Sequence, residues 1–82
     1  MYTVYVLYSK DHDKLYIGYT SNLSKRMISH NETGNGYTKR YSPWVVIYTE
    51  EYPKRSEAMK REKELKGGQG RSWIRSNLLE KE

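Results

Sequence analysis

The segment Tyr2–Tyr8, YTVYVLY, sets the terms for the rest of the chain. Every position but Leu7 is β-branched or aromatic, so it reads as a strand. Alternation puts Tyr2, Val4, Val6 and Tyr8 on one face and Thr3, Tyr5 and Leu7 on the other. Bulky side chains on both faces mark a central strand that needs cover above and below. A chain of 82 residues has room for one domain, residues 1–82, with a modest core and any functional site built directly on it. Cysteine is absent and histidine occurs twice, which removes disulfides and a thiolate zinc cage as supports. Phenylalanine is absent too, so nine tyrosines and two tryptophans supply the large side chains, each with a polar tip.

Ser9–Asp13, SKDHD, is turn chemistry, and Leu15–Thr20, LYIGYT, is a second strand, so the two strands form an antiparallel hairpin. Gly18 interrupts that strand; a residue without a side chain there signals the close approach of a backbone or a ligand. Thr20, Ser21 and Asn22 are N-cap candidates for a helix over Leu23–His30, with Leu23, Met27 and His30 at helical spacing. Asn31–Pro43 reads as a Gly- and Asn-rich loop, and Trp44–Tyr48, WVVIY, as a third strand buried on both faces. Pro53 breaks the chain. Ser56 is placed to cap a helix running to about Lys66 that Gly67 and Gly68 stop, and a short last helix covers about Arg71–Leu79. The order is ββαβαα, an α+β chain.

Fifteen Lys and Arg against ten Asp and Glu give a net charge of +5, a field that draws in polyanions and makes nucleic acid the default partner. No stretch approaches the roughly 18 apolar residues of a membrane span, and no charged segment leads into an apolar run at the N-terminus. The chain therefore reads as cytoplasmic, with no membrane partner.

Glu62 is the most informative single residue. Ala58, Met59 and Leu65 define the apolar stripe of the second helix, and Glu62 falls within it. A carboxylate so placed is either paired with a cation at the edge of the stripe or bound to a metal. On the first helix Asn22, Arg26 and His30 recur every four residues and line one row. Arg26 offers a fork of donors suited to phosphate, and His30 a group that can donate or move a proton near neutral pH. The same row also reads as a solvated flank. Tyr5 and Tyr16 stand close on one face if the hairpin pairs Tyr5 near Gly18. Without context they are core aromatics; with positive charge nearby, a tyrosine hydroxyl becomes a usable base. Tyr37, Lys39, Arg40 and Tyr41 interleave rings with cations, a combination that tracks a phosphate backbone and stacks unpaired bases. The chain has no Walker loop, no dinucleotide-type glycine fingerprint, and no Ser-His-Asp or Cys-His nucleophile set.

Taken in order, TVYVL at Thr3–Leu7, YIG at Tyr16–Gly18, the N-L-x-x-R-x-x-x-H of Asn22–His30 and the S-E-A-x-x-x-E of Ser56–Glu62 resemble the GIY-YIG nuclease family. The likeness covers nearly the whole chain and is closest to small single-domain bacterial members, which are similar to the nuclease domain of the repair excinuclease. The resemblance implies a three-stranded antiparallel sheet packed with helices, which agrees with the order above. It also implies a metal-dependent DNA endonuclease, structure-selective and acting in repair or recombination on branched or single-stranded DNA. The alternative is a weak or inactive module that only binds nucleic acid. Carried over residue by residue, Tyr5 and Tyr16 are the tyrosines of the two name motifs, and Arg26 is the phosphate-binding arginine. Glu62 is the ligand of one Mg²⁺ or Mn²⁺, and His30 matches a histidine often found near the site. The chain departs from the pattern at Thr3, where the family name has glycine, and at Glu64, where many larger members carry asparagine.

Overall fold

The computed structural model describes residues 1–33 and 36–79. Its centre is the first strand, β1 (Tyr2–Ser9), flanked by β2 (Lys14–Thr20) on one side and β3 (Val45–Tyr52) on the other. Both pairings are antiparallel, and the hairpin register sets Tyr5 opposite Gly18 and Leu7 opposite Tyr16. The expected α+β architecture is borne out, with helices on both sides of the sheet.

Each face of β1 anchors its own cluster. Val4 and Val6 pack with Leu15, Ile17, Ala58, Leu65 and Ile74, beneath the helices α3 (Arg55–Lys66) and α4 (Gly68–Ile74). On the opposite face Tyr5 and Leu7 pack with Trp44, Tyr16, Leu23, Met27 and Tyr41, beneath α1 (Leu23–Ile28). Tyrosine contributes to both clusters, but only Tyr5 among the nine is fully buried; the others are half-buried or, at Tyr37, exposed. No helix among the described residues is long and apolar enough to cross a membrane.

Five local readings need correction. The first helix is α-helical only to Ile28 and then widens into a π-turn over Ser29–Thr33, so a row projected at 3.6-residue spacing stops holding at Ser29. Its cap is Asn22, whose Oδ1 accepts the Lys25 backbone N–H at 3.1 Å. The segment read as loop contains a short helix, α2 (Gly36–Arg40), which raises the helix count between β2 and β3. Its position is fixed through Trp44, whose indole N–H donates to the Thr38 carbonyl at 2.8 Å, while Asn31 exchanges two hydrogen bonds with the Trp44 backbone.

The third strand begins after Trp44, runs to Tyr52 and is not buried on both faces. Val45 and Val46 are 53% and 39% exposed, because a three-stranded sheet has one central position and β1 takes it. A bulge between Val6 and Leu7 shifts the β1–β3 register at the same point. Finally, α3 starts at Arg55, ahead of Ser56. The Glu57 side chain closes its first turn by accepting the Lys54 N–H at 3.3 Å, and Gly67 ends it as expected. The last helix begins earlier than expected, at Gly68, and turns into a π-turn over Arg75–Leu79.

Candidate active site

The hairpin register places the first functional pair. Gly18 faces Tyr5 across β1 and β2, and a Cβ on Gly18 would lie 2.6 Å from the Tyr5 hydroxyl oxygen. The close approach signalled by this glycine is therefore the ring of Tyr5, laid across the neighbouring strand. Tyr16, two residues earlier on β2, projects from the same face, and the two rings stack with centroids 6.5 Å apart.

Beneath them lies His30. The π-turn carries its imidazole into the interior, 5% exposed, where Nε2 and the Tyr5 hydroxyl oxygen are 3.0 Å apart and the Tyr16 ring centroid is 4.8 Å away. Burial, and then the charge of Arg26, hold the His30 pKa below its ordinary 6.5. The ring is neutral at pH 7, and with its proton on Nδ1 it accepts the Tyr5 O–H through Nε2. Burial raises the Tyr5 pKa well above its ordinary value, Tyr16 and Glu62 add to the rise, and Arg26 opposes it. Tyr5 is thus a protonated phenol hydrogen-bonded to a neutral imidazole.

Arg26 and Glu62 close the site from two different helices. Both line a groove of about 380 Å³ together with Tyr5, Tyr16, Gly18, Thr20 and Ser21. Arg26 is exposed and forms no ion pair with a described carboxylate. Glu62, with its side chain 17% exposed, has Lys66 Nζ 3.4 Å from Oε2. The sequence left pairing with a cation and metal binding as alternatives; Lys66 is the cation, and Glu62 also lines the groove. Its stripe is also sharpened: Ala58 and Leu65 are buried, but Met59 is 37% exposed and does not belong to it. Glu64 lies on the outer face and pairs with Arg61 at 3.2 Å.

Tyr5, Tyr16, Arg26 and Glu62 therefore converge, and His30 stands behind Tyr5. The other predicted residues lie alongside. Tyr37, on α2, sits with its ring centroid 6.3 Å from Tyr16 and 6.0 Å from Trp44, so it borders the site. Tyr41 is turned toward the β1–β2 turn, edge-on to His12, with Lys14 and Arg40 over its ring. Lys39 is exposed on the same short helix.

Three groove residues escaped sequence reasoning: Tyr2, Tyr19 and Arg55. Tyr2 and Tyr19 alternate onto the opposite face of the sheet from Tyr5 and Tyr16, and the groove reaches them around the edge strand β2, which strand periodicity alone does not reveal. Arg55 carried no signal, since the sequence placed it one residue ahead of the expected cap, Ser56.

A metal ion here would rest on one protein carboxylate. No group of three or more His, Cys, Asp or Glu side chains gathers into a cage among the described residues. A single hard oxygen ligand facing an open groove fits Mg²⁺ or Mn²⁺, ions that retain waters and take remaining oxygens from a phosphate. It does not fit a structural zinc.

Comparison with known proteins gives the same region a family context. The model for the GIY-YIG catalytic domain matches residues 1–75, which include all five predicted catalytic positions. A UPF0213 protein of Staphylococcus haemolyticus is 45% identical over 64 residues, covering 77% of each chain. A UPF0213 protein of Clostridium perfringens is 37% identical over 83 residues, covering 96% of this chain and 88% of that one. The solution NMR structure of a UPF0213 protein from Bacillus halodurans superposes with a TM-score of 0.55 at 31% identity, covering 93% of this chain and 84% of that one.

Proposed function

Because the chain belongs to the GIY-YIG catalytic domain family of nucleases, we propose that it is a metal-dependent DNA endonuclease that hydrolyses phosphodiester bonds at the groove between α1 and α3. The observation carrying this reading is the convergence of Tyr5, Tyr16, Arg26 and Glu62 on one groove, contributed by four different elements. Glu62 would hold a single Mg²⁺ or Mn²⁺, whose positive charge would favour departure of the leaving oxygen.

The chain's own residues do the rest. Arg26, exposed and without a carboxylate partner among the described residues, neutralises and orients the phosphate through its forked donors. Tyr5 faces the attacking water. A phenol with a raised pKa is a poor base alone, but its hydrogen bond to His30 provides an outlet. As the water gives a proton to Tyr5 Oη, the tyrosine's own proton passes to His30 Nε2. The resulting hydroxide attacks phosphorus in line, and the opposite P–O bond breaks. This link to His30 favours Tyr5 over Tyr16 as the proton acceptor and leaves Tyr16 to hold the phosphate. Tyr37 beside Tyr16, with Lys39, Arg40 and Tyr41 continuing toward the β1–β2 turn, holds flanking nucleic acid, which suits branched or single-stranded DNA handled in repair or recombination.

The Lys66 ammonium 3.4 Å from Glu62 favours a second reading, in which the carboxylate already has its counter-cation and the domain binds nucleic acid without turnover. A panel of branched, nicked and single-stranded DNA with Mg²⁺ or Mn²⁺ separates the two. Cleavage by the native chain that drops at least about 100-fold in Glu62→Ala supports the nuclease. Equal cleavage by the variant removes Glu62 from the site, and salt-sensitive binding without cleavage by either protein supports the binding module.

A further inference from the structure

The groove contains a second guanidinium that the reaction above leaves unused. Arg55 is the first residue of α3 and lines the same groove as Arg26. Its Nε donates to the Tyr19 hydroxyl at 3.1 Å, and its guanidinium carbon lies 5.9 Å from the centre of the Tyr19 ring. Two contacts thus fix an exposed side chain that would otherwise sample many rotamers. They use one donor of five, and the Nη nitrogens make no hydrogen bond or ion pair with a described residue.

The placement relative to Glu62 gives this held charge a purpose. Residues 55 and 62 are seven apart on one helix, so they share a face and stand about 10 Å apart along its axis. A strand rises roughly 3.4 Å per nucleotide in a duplex. For a strand running along α3, a phosphate at Arg55 is then within a few nucleotides of one being cleaved beside Glu62. We propose that Arg55, held by Tyr19, is a binding site for a non-reacting phosphate one to three nucleotides from the scissile bond, so that the substrate is a polynucleotide engaged at two phosphates. This rests on the phosphodiesterase reading for the position of the scissile bond, but the contact itself is testable without turnover.

Binding of a fluorescently labelled DNA oligonucleotide would be measured in metal-free buffer across a salt series, for the native chain, Arg55→Gln and Tyr19→Phe. Arg55→Gln is expected to weaken binding several-fold at low salt and to lower the slope of log affinity against log salt by about 0.7–0.9, the contribution of one phosphate contact. Tyr19→Phe keeps the ring and loses the hydroxyl, so its loss is smaller. Neutral methylphosphonate linkages introduced one at a time should identify one flanking position that weakens the native chain to the level of Arg55→Gln and leaves that variant unaffected. In cleavage assays the Arg55→Gln effect falls on KM rather than kcat.

If Arg55→Gln lowers the melting temperature while affinity, salt slope and KM stay native, the residue is only a latch between α3 and β2, and the proposal is overturned. It is overturned equally if the native chain does not bind DNA at low salt. If binding and its dependence on Arg55 hold but no DNA is cleaved, the phosphate site stands and the nuclease reading falls.

Discussion

Gly18 and Tyr5 act as one unit. The glycine has no side chain because the tyrosine ring occupies that space, with Cζ 2.9 Å and Oη 2.6 Å from where a Cβ would stand. Tyr5 is buried and hydrogen-bonded to His30, so it cannot swing aside freely. Gly18→Ala is expected to destabilise the protein by about 1–3 kcal/mol and to reduce cleavage by misplacing the hydroxyl, as denaturant titration and the DNA panel would register. His30 carries a pH signature. Its folded pKa lies below 6.5, so the unfolded chain binds its proton more readily. The stabilising effect of the neutral ring is therefore present above about pH 6.5 and lost as pH falls through the folded value. Cleavage follows the same direction, because a protonated ring cannot accept from Tyr5. Melting temperature and rate should both decline on acidification, and His30→Gln should flatten the decline in melting temperature.

At the scale of elements, the position of Glu62 depends on how α3 is held to the sheet and to α4. Arg61, its neighbour, makes two hydrogen bonds to Glu50 on β3, from Nε at 2.9 Å and Nη2 at 3.1 Å. The hydroxyls of Tyr48 and Tyr52 donate to the same carboxylate. Burial alone would raise the Glu50 pKa, but these donors outweigh it and bring it below the ordinary carboxylate range. The far end of α3 is fixed by backbone contact. A Cβ on Gly70 would lie 2.5 Å from both Cα and O of Leu65 and as near to the Glu64 carbonyl. Gly70→Ala must therefore push α4 and the buried Ile74 outward, at a cost exceeding about 3 kcal/mol. Gly68→Ala meets nothing within 4 Å and should leave stability within about 0.5–1 kcal/mol of native. Thermal melts of the two variants give the comparison directly, and equal effects would contradict the packing described.

For the whole molecule, the net charge of +5 and two arginines flanking one groove predict DNA binding that weakens steeply with salt. Each phosphate contact contributes about 0.7–0.9 to the slope of log affinity against log salt, and Arg26→Gln should remove one such contact. A flat salt response would rule out the groove as a polyanion site. The strand pattern of Tyr2–Tyr8, the glycine in β2 and the charged position in an apolar helical stripe were legible along the chain because they are periodic and local. They determined the central strand, the hairpin and the odd placement of Glu62, and four ordered motifs gave the family. What periodicity could not supply was anything that depends on two elements meeting: the exposed edge of β3, the π-turn that buries His30, the Lys66 partner of Glu62, and the groove wrapping around β2 to reach Tyr19 and Arg55. Local sequence fixes which way a side chain leaves its own strand or helix. Only the packing of those elements against one another decides what it meets there.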